Sequence, residues 1–400
     1  MENTVKKGVN SFTFIGKAVI GSDSLEDAVK SKSGWIYPRT SFGVDTTGED
    51  SSNQRNVVYP RVQNGGYYEG KPLKFFVRNG DKTEELLIPF EERFNEEQIK
   101  KVPNYRKFTV DLGKGRQEFI TSVDFLKYLQ ENLTDGEEII VGGNVEYSTA
   151  DPSNPETPTY RNFVATRVYK NNEKTVKDSD GNETKQITPP SAKMTQETYF
   201  TSDSLDSDWK GEIEREGETV VSVFVPEYIG TVKDPNNNKN YLDYKKTVPI
   251  GQSLVVKSDA NMKLVEFLMD VKDDEVVRTV QVVSKVIDGY DVSSGTNTDY
   301  SPELQEMIDL GIMTEEEVQA SLTVRGPRKS EVVFDGISIY SSADGEAKPF
   351  YDDKYSYEAL VVPPIKSDVV KDTDDSNTDL DLDVFDASDD SEDILSMFAE

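Results

Sequence analysis

Twice along this chain, short runs of β-branched and aromatic residues lead into a helical stretch and then into a pair of apolar strands. That order constrains the fold more than any other feature, because strands with one apolar face must close on one another or on a helix to bury it. In the first pass "SFTFIGKAVIG", "NVVYPRV" and "PLKFFVRNG" read as strands by their β-branched and aromatic content. In "ITSVDFLKYLQENLTDGEE", Val123, Leu126, Leu129 and Leu133 recur at helical spacing, with Ser122 placed to cap the start and Gly136 to end it. "EEIIVGGNVEYS" and "YRNFVATRVYK" complete the set as a late strand pair.

The second pass holds "EREGETVVSVFVPEYIG", "KKTVPIGQSLVVKSD" and "EVVRTVQVVSKVIDGY", a helical "SPELQEMIDLGIMTEEEVQASL", and "LTVRGPRKSEVVFDGISIY". Several strands, one helix and two further strands is the order of the oligonucleotide/oligosaccharide-binding (OB) barrel, where a helix plugs the barrel between its third and fourth strands. Any small β-barrel with an inserted helix shares that order. A length of 400 residues suits two or three domains. The expected architecture is therefore mostly β: an OB-like barrel over 1–170 and a polar linker over 171–198, "NNEKTVKDSDGNETKQITPPSAKMTQET". A second, OB-like β domain over 199–365 and a disordered acidic tail over 366–400 follow.

The chain has no Cys and no His, which removes thiolates, disulfides, imidazole bases and Cys/His zinc sites together. Acid pairs such as "FEERFNEEQ" read as a solvated helix face rather than a metal site. The Gly-rich "NGGYYEGK" and "DLGKGRQ" lack phosphate-loop spacing and read as turns. We expect no catalytic residues, no metal, no cofactor and no enzymatic activity. No stretch approaches a membrane span, and the first residues lack the apolar core of a signal peptide. Those two readings predict a cytoplasmic protein with no membrane partner.

The net charge of −30 argues at first against a nucleic-acid partner, but its distribution is uneven. Between Trp35 and Arg78 lie Trp35, Tyr37, Phe42, Tyr59, Tyr67, Tyr68, Phe75 and Phe76. Interleaved with them are Arg39, Arg55, Arg61, Lys71, Lys74 and Arg78, against Asp45, Glu49, Asp50 and Glu69. Aromatic faces with cations between them suit single-stranded nucleic acid, since bases stack on the rings and Lys and Arg follow the backbone. "YPR" at 37–39 and again at 59–61 puts a ring beside a guanidinium, with a proline stiffening the join. The candidate nucleic-acid contacts are Trp35, Tyr37, Arg39, Phe42, Arg55, Tyr59, Arg61, Tyr67, Tyr68, Lys74 and Phe76, with Arg161 from the late strand. The competing reading of each ring is barrel core. Adjacent Phe75 and Phe76 point to opposite faces of a strand, so one of them belongs inside. Arg325, Arg328 and Lys329 in "VRGPRKS" read as a solvated hairpin turn.

From Ser367 onward thirteen acids stand against one Lys, and the chain closes on "DDSEDILSMFAE". An aromatic, basic barrel followed by an acidic tail with an apolar tip resembles the single-stranded DNA-binding proteins of bacteria and their phages. The resemblance implies a protein that coats and protects single strands in DNA replication, recombination and repair. It also implies that Asp389, Asp390, Glu392 and Asp393, with Ile394, Leu395, Met397 and Phe398, form a docking peptide for partner enzymes. Departures are clear: Ala399 and Glu400 follow Phe398 and no Pro precedes it, the chain is over twice the usual bacterial length, and its loops are longer. A bacteriophage version, acting in the host cytoplasm, accommodates these best. A structural or assembly protein of a virion is the alternative, since an acidic, Cys-free β chain suits one too. A nuclease would need a carboxylate constellation that the sequence does not display.

Overall fold

The computed structural model describes residues 4–48, 54–79, 82–177, 183–293, 302–310, 324–341 and 347–365. Within them the chain is mostly β, as expected, and one large sheet runs through both halves. The acidic tail, with Asp389, Asp390, Glu392, Asp393, Ile394, Leu395, Met397 and Phe398, lies outside the described residues.

In the first half, β1 (Asn10–Val19) alternates buried and exposed side chains along its length, so Phe12, Phe14 and Ala18 go inward. It pairs antiparallel with β3 (Gly43–Asp45), which follows β2 (Thr40–Ser41). Gly16 permits that approach, because a Cβ there would lie 2.0 Å from the Asp45 carbonyl oxygen. β3 pairs with β4 (Gln54–Val58), and β2 pairs with β5 (Arg61–Val62). Next come α1 (Ser122–Asn132), β6 (Glu138–Thr149) and β7 (Thr159–Lys170). β6 pairs antiparallel with both β1 and β7, and β7 meets β5 in parallel at Val164 and Arg61. The pairings thus return to their start. Their interior holds Phe12, Phe14 and Phe163, with ring centroids 4.5–5.3 Å apart, and α1 buries Phe125, Leu126 and Leu129.

The second half repeats the circuit. β8 (Ser191–Phe200) pairs antiparallel with β9 (Glu218–Asp234), which forms a long hairpin with β10 (Asn237–Lys257). Helix α2 (Met262–Met269) follows and buries Val265, Leu268 and Met269. β11 (Val276–Ser293) pairs antiparallel with β8 and with β12 (Val324–Ser338), and β12 meets β10 in parallel at Val255 and Val333. Two seams join the halves: β1 against β8, from Asn10 opposite Gln196 to Ile15 opposite Ser191, and β4 against β11. One apolar core spans both.

Three expectations are corrected and a fourth is met in part. Residues 191–198, read as the end of a linker, are strand β8 at the centre of the sheet, with Ala192 and Met194 buried; the Thr- and Lys-rich composition hid an inward face. "PLKFFVRNG" is not a strand of the main sheet. Leu73–Asn79 pairs only with Lys82–Ile88, in a hairpin whose Leu73 and Ile88 pack with Tyr67, Ile99, Val102, Ile120 and Val123 as a separate small core. The cap of α1 is Thr121, whose hydroxyl accepts from the Asp124 N–H, while Ser122 is fully buried. Finally, of the expected helix over 301–322, Pro302–Asp309 is helical and residues 311–322 lie outside the described residues.

Candidate nucleic-acid interface

A cleft of about 3860 Å³ opens along one side of the molecule. Pockets for small molecules are several-fold smaller, so this is a groove suited to a polymer. It is lined by residues of β4, β5, β6 and β7, by the insertion between β5 and α1, and by the β9–β10 hairpin of the second half.

Of the twelve candidate contacts, eleven line this cleft: Trp35, Tyr37, Arg39, Arg55, Tyr59, Arg61, Tyr67, Tyr68, Lys74, Phe76 and Arg161. Phe42 does not. It is 1 % exposed and packs in the main core with Val44, Val58 and Val62, so its assignment to ligand is withdrawn. Tyr67 is also buried, its ring 5.0 Å from Phe90, and it forms wall rather than a stacking platform. Trp35 and Tyr68 face each other across Trp35–Tyr37 and Tyr67–Tyr68, edge to face at 4.9 Å, and the Lys71 ammonium lies 4.4 Å over the Tyr68 ring. Both rings remain half-buried. Tyr59 stands 49 % exposed.

Cations in the cleft differ in how far neighbouring acids neutralise them. Arg55 lies 3.8 Å from Asp45, and Lys74 lies 3.2 Å from Glu85 and 5.3 Å from the Phe76 ring. Arg328 is held by Asp288 at 2.8 Å and lines the cleft; with Arg325 and Lys329 it lies within strand β12, paired with β11, and not in the hairpin turn expected of "VRGPRKS". Arg39 and Arg61 have no ion-pair partner among the described residues. Enclosure in the cleft, and then the charge of Arg39, lower the Arg61 pKa from its ordinary value. An arginine still stays charged at neutral pH, so two guanidiniums that repel each other are left to attract an anion. Eleven Lys and Arg against eight Asp and Glu line the cleft, a basic surplus in a chain of net charge −30.

The groove also contains residues the sequence reading did not select. Tyr105 and Tyr160 line it at 65 % and 48 % exposure, next to Arg106 and Arg161. With Tyr37-Pro38-Arg39 and Tyr59-Pro60-Arg61 they make four places where a tyrosine stands one or two residues before an arginine, all opening on one groove. That recurrence of a tyrosine just ahead of an arginine is the signal in the sequence that marks this groove.

At the edge of the groove, Glu227 is 1 % exposed and accepts from the Lys7 ammonium (3.3 Å), the Asn10 amide (3.3 Å) and the N–H groups of Tyr147 (3.2 Å) and Tyr228 (2.9 Å). Burial outweighs the Lys7 charge and raises its pKa above the ordinary carboxylate range. A carboxyl with a raised folded pKa takes up a proton on folding. Stability therefore falls as pH rises from the ordinary carboxyl pKa to the raised one, and is flat above it. Glu227→Gln should remove this slope in urea unfolding followed from about pH 4 to neutrality. It should also lower stability by about 1–3 kcal/mol, because the new NH₂ faces donors. An unchanged slope in the variant would show that Glu227 does not titrate in that range.

No helix among the described residues is long and apolar enough to cross a membrane, and no group of His, Cys, Asp and Glu among them could hold a metal ion. The sequence matches no protein-family model and no curated protein, so the groove's own chemistry carries the functional reading.

Proposed function

We propose that this chain is a non-enzymatic single-stranded DNA-binding protein that holds the strand in the tyrosine- and arginine-lined groove. The observation that carries the reading is the convergence of four tyrosine–arginine pairs on one groove with a surplus of positive charge. Tyrosine faces half open to solvent accept bases only when those bases are free of a partner strand, and each stack is worth about 1–3 kcal/mol. A duplex offers few such bases, and its denser charge is opposed by the acidic remainder of the protein.

The strand circuit supports the same reading. In each half, the first strand lies between the second and fourth, a helix precedes the fourth, and the third meets the fifth in parallel. We read this connectivity as that of an OB barrel. We read the chain as two such barrels over 1–170 and 191–365, coating single strands in replication, recombination and repair, as a phage-encoded protein of the host cytoplasm would. Titration with a single-stranded oligonucleotide beside the same sequence as duplex tests the proposal, with Trp35 fluorescence as the signal. Preference for the single strand and weakening by salt are expected. Equal affinity for duplex, or no binding to either at low salt, overturns it.

The acidic tail, read from sequence, adds a further expectation. Thirteen carboxylates after Lys366 compete with DNA for the groove at the millimolar effective concentration of a tethered segment. Deleting residues 367–400 should therefore raise affinity by about tenfold at low salt and progressively less as salt screens the competition. Phe398→Ala should abolish recruitment of replication or recombination enzymes while leaving DNA binding intact. Equal affinities at low salt would end the competition idea.

A further inference from the structure

The long hairpin of the second half reaches the groove of the first. β9 and β10 stay paired from Glu218 opposite Lys257 to Asp234 opposite Asn237, an arm longer than closing the second circuit requires. It is tied down at two points. Midway along it, Glu227 accepts from the Asn10 amide and from the Tyr147 N–H of the first half. Nearer its tip, the Lys233 N–H donates to the Ala150 carbonyl at 3.0 Å, in the turn between β6 and β7. The arm thereby brings groove-lining residues of the second half to the β6–β7 turn of the first.

Lys233 and Tyr241 are direct cross-strand partners on this arm, both are exposed, and both line the groove. Side chains directly opposite in an antiparallel pair share one face. A ring and an ammonium on one face repeat, across two strands, the unit that the tyrosine–arginine pairs build along one.

We propose that Lys233 and Tyr241 are DNA contacts, Tyr241 stacking on a base and Lys233 meeting a phosphate. One binding path then crosses from the first half onto the arm of the second. This rests on the single-strand reading above and adds to it that the second half takes part in binding through this arm.

The test uses the full chain and an oligothymidine long enough to span the groove. Tyr241→Ala should weaken binding about tenfold or more, and Tyr241→Phe, which keeps the ring, should restore it. Lys233→Ala should reduce the slope of log affinity against log salt by about 0.7, the value of one phosphate contact on a single strand. Lys210→Ala is the control: Lys210 is an exposed cation of the second half, paired with Glu266 at 2.7 Å and outside the groove. Its slope should match the wild type. If the wild-type chain binds the oligonucleotide and the Tyr241 and Lys233 variants bind with its affinity and slope, the arm is not part of the path and only this inference falls. If the wild type does not bind, the single-strand reading falls and takes the inference with it.

Discussion

Replacing Tyr59 and Tyr160 together by alanine is expected to weaken single-stranded DNA binding by at least about thirtyfold, with the unfolding midpoint unchanged. Both rings line the groove, and both are close to half exposed, at 49 % and 48 %. Folding therefore gains little from them, whereas a bound base would gain a stacking face. At about 1–3 kcal/mol for each stack, two lost stacks amount to about 2–6 kcal/mol of binding. Tyr67→Ala is the contrast. That ring is buried against Phe90 in the insertion's core, and its loss should cost about 3–5 kcal/mol of stability, as for other large buried aromatics. If the exposed pair melts the protein and leaves binding by the folded fraction intact, the rings serve the fold and the groove is not a stacking surface.

The second large effect concerns cooperativity. Phe14 is fully buried and in ring contact with Phe12 and Phe163, so Phe14→Ala should remove about 3–5 kcal/mol. The loss should appear in both halves. Two inter-half seams and one shared apolar core join the circuits in a way that a flexible linker would not. The two tryptophans serve as reporters, Trp35 in the first half and Trp209 buried in the second. Urea transitions followed separately at each Trp, using Trp→Phe at the other, should coincide in the parent and shift together in the Phe14→Ala protein. Two separated transitions would mean that the seams do not couple the halves.

The sequence displayed the parts of this fold better than their assembly. The β-branched and aromatic content of β1 and the helical spacing of Val123, Leu126 and Leu129 are local patterns, and each marks the element found there. The pairing of β1 with β8 spans about 180 residues, and nothing local in either strand encodes it. The stretch from Ser191 to Thr198 therefore passed for linker although it occupies the middle of the sheet. Among the candidate contacts, residue type was legible and direction was not. Phe42 and Tyr59 look alike as aromatics in a basic segment, yet one points into the core and the other into the groove. Tyr105 and Arg106 belong to the insertion and lie apart in the chain from the aromatic segment with which they line the groove, so local density does not reveal them.

Each circuit closes through a parallel contact at one pair of residues, Arg61 with Val164 in the first and Val255 with Val333 in the second. All the other joins within the second circuit, apart from that of Tyr199 with Phe224, run over many residues. Arg61, Val164, Val255 and Val333's neighbour Val332 all border the groove. A closure with a single tooth is the part of a sheet that parts at the least cost, so amide protons at these joins should exchange through small local openings while those of β1 and β11 wait for larger ones. Both parallel closures thus lie on the border of the groove, and openings there are expected to change its width without unfolding either half.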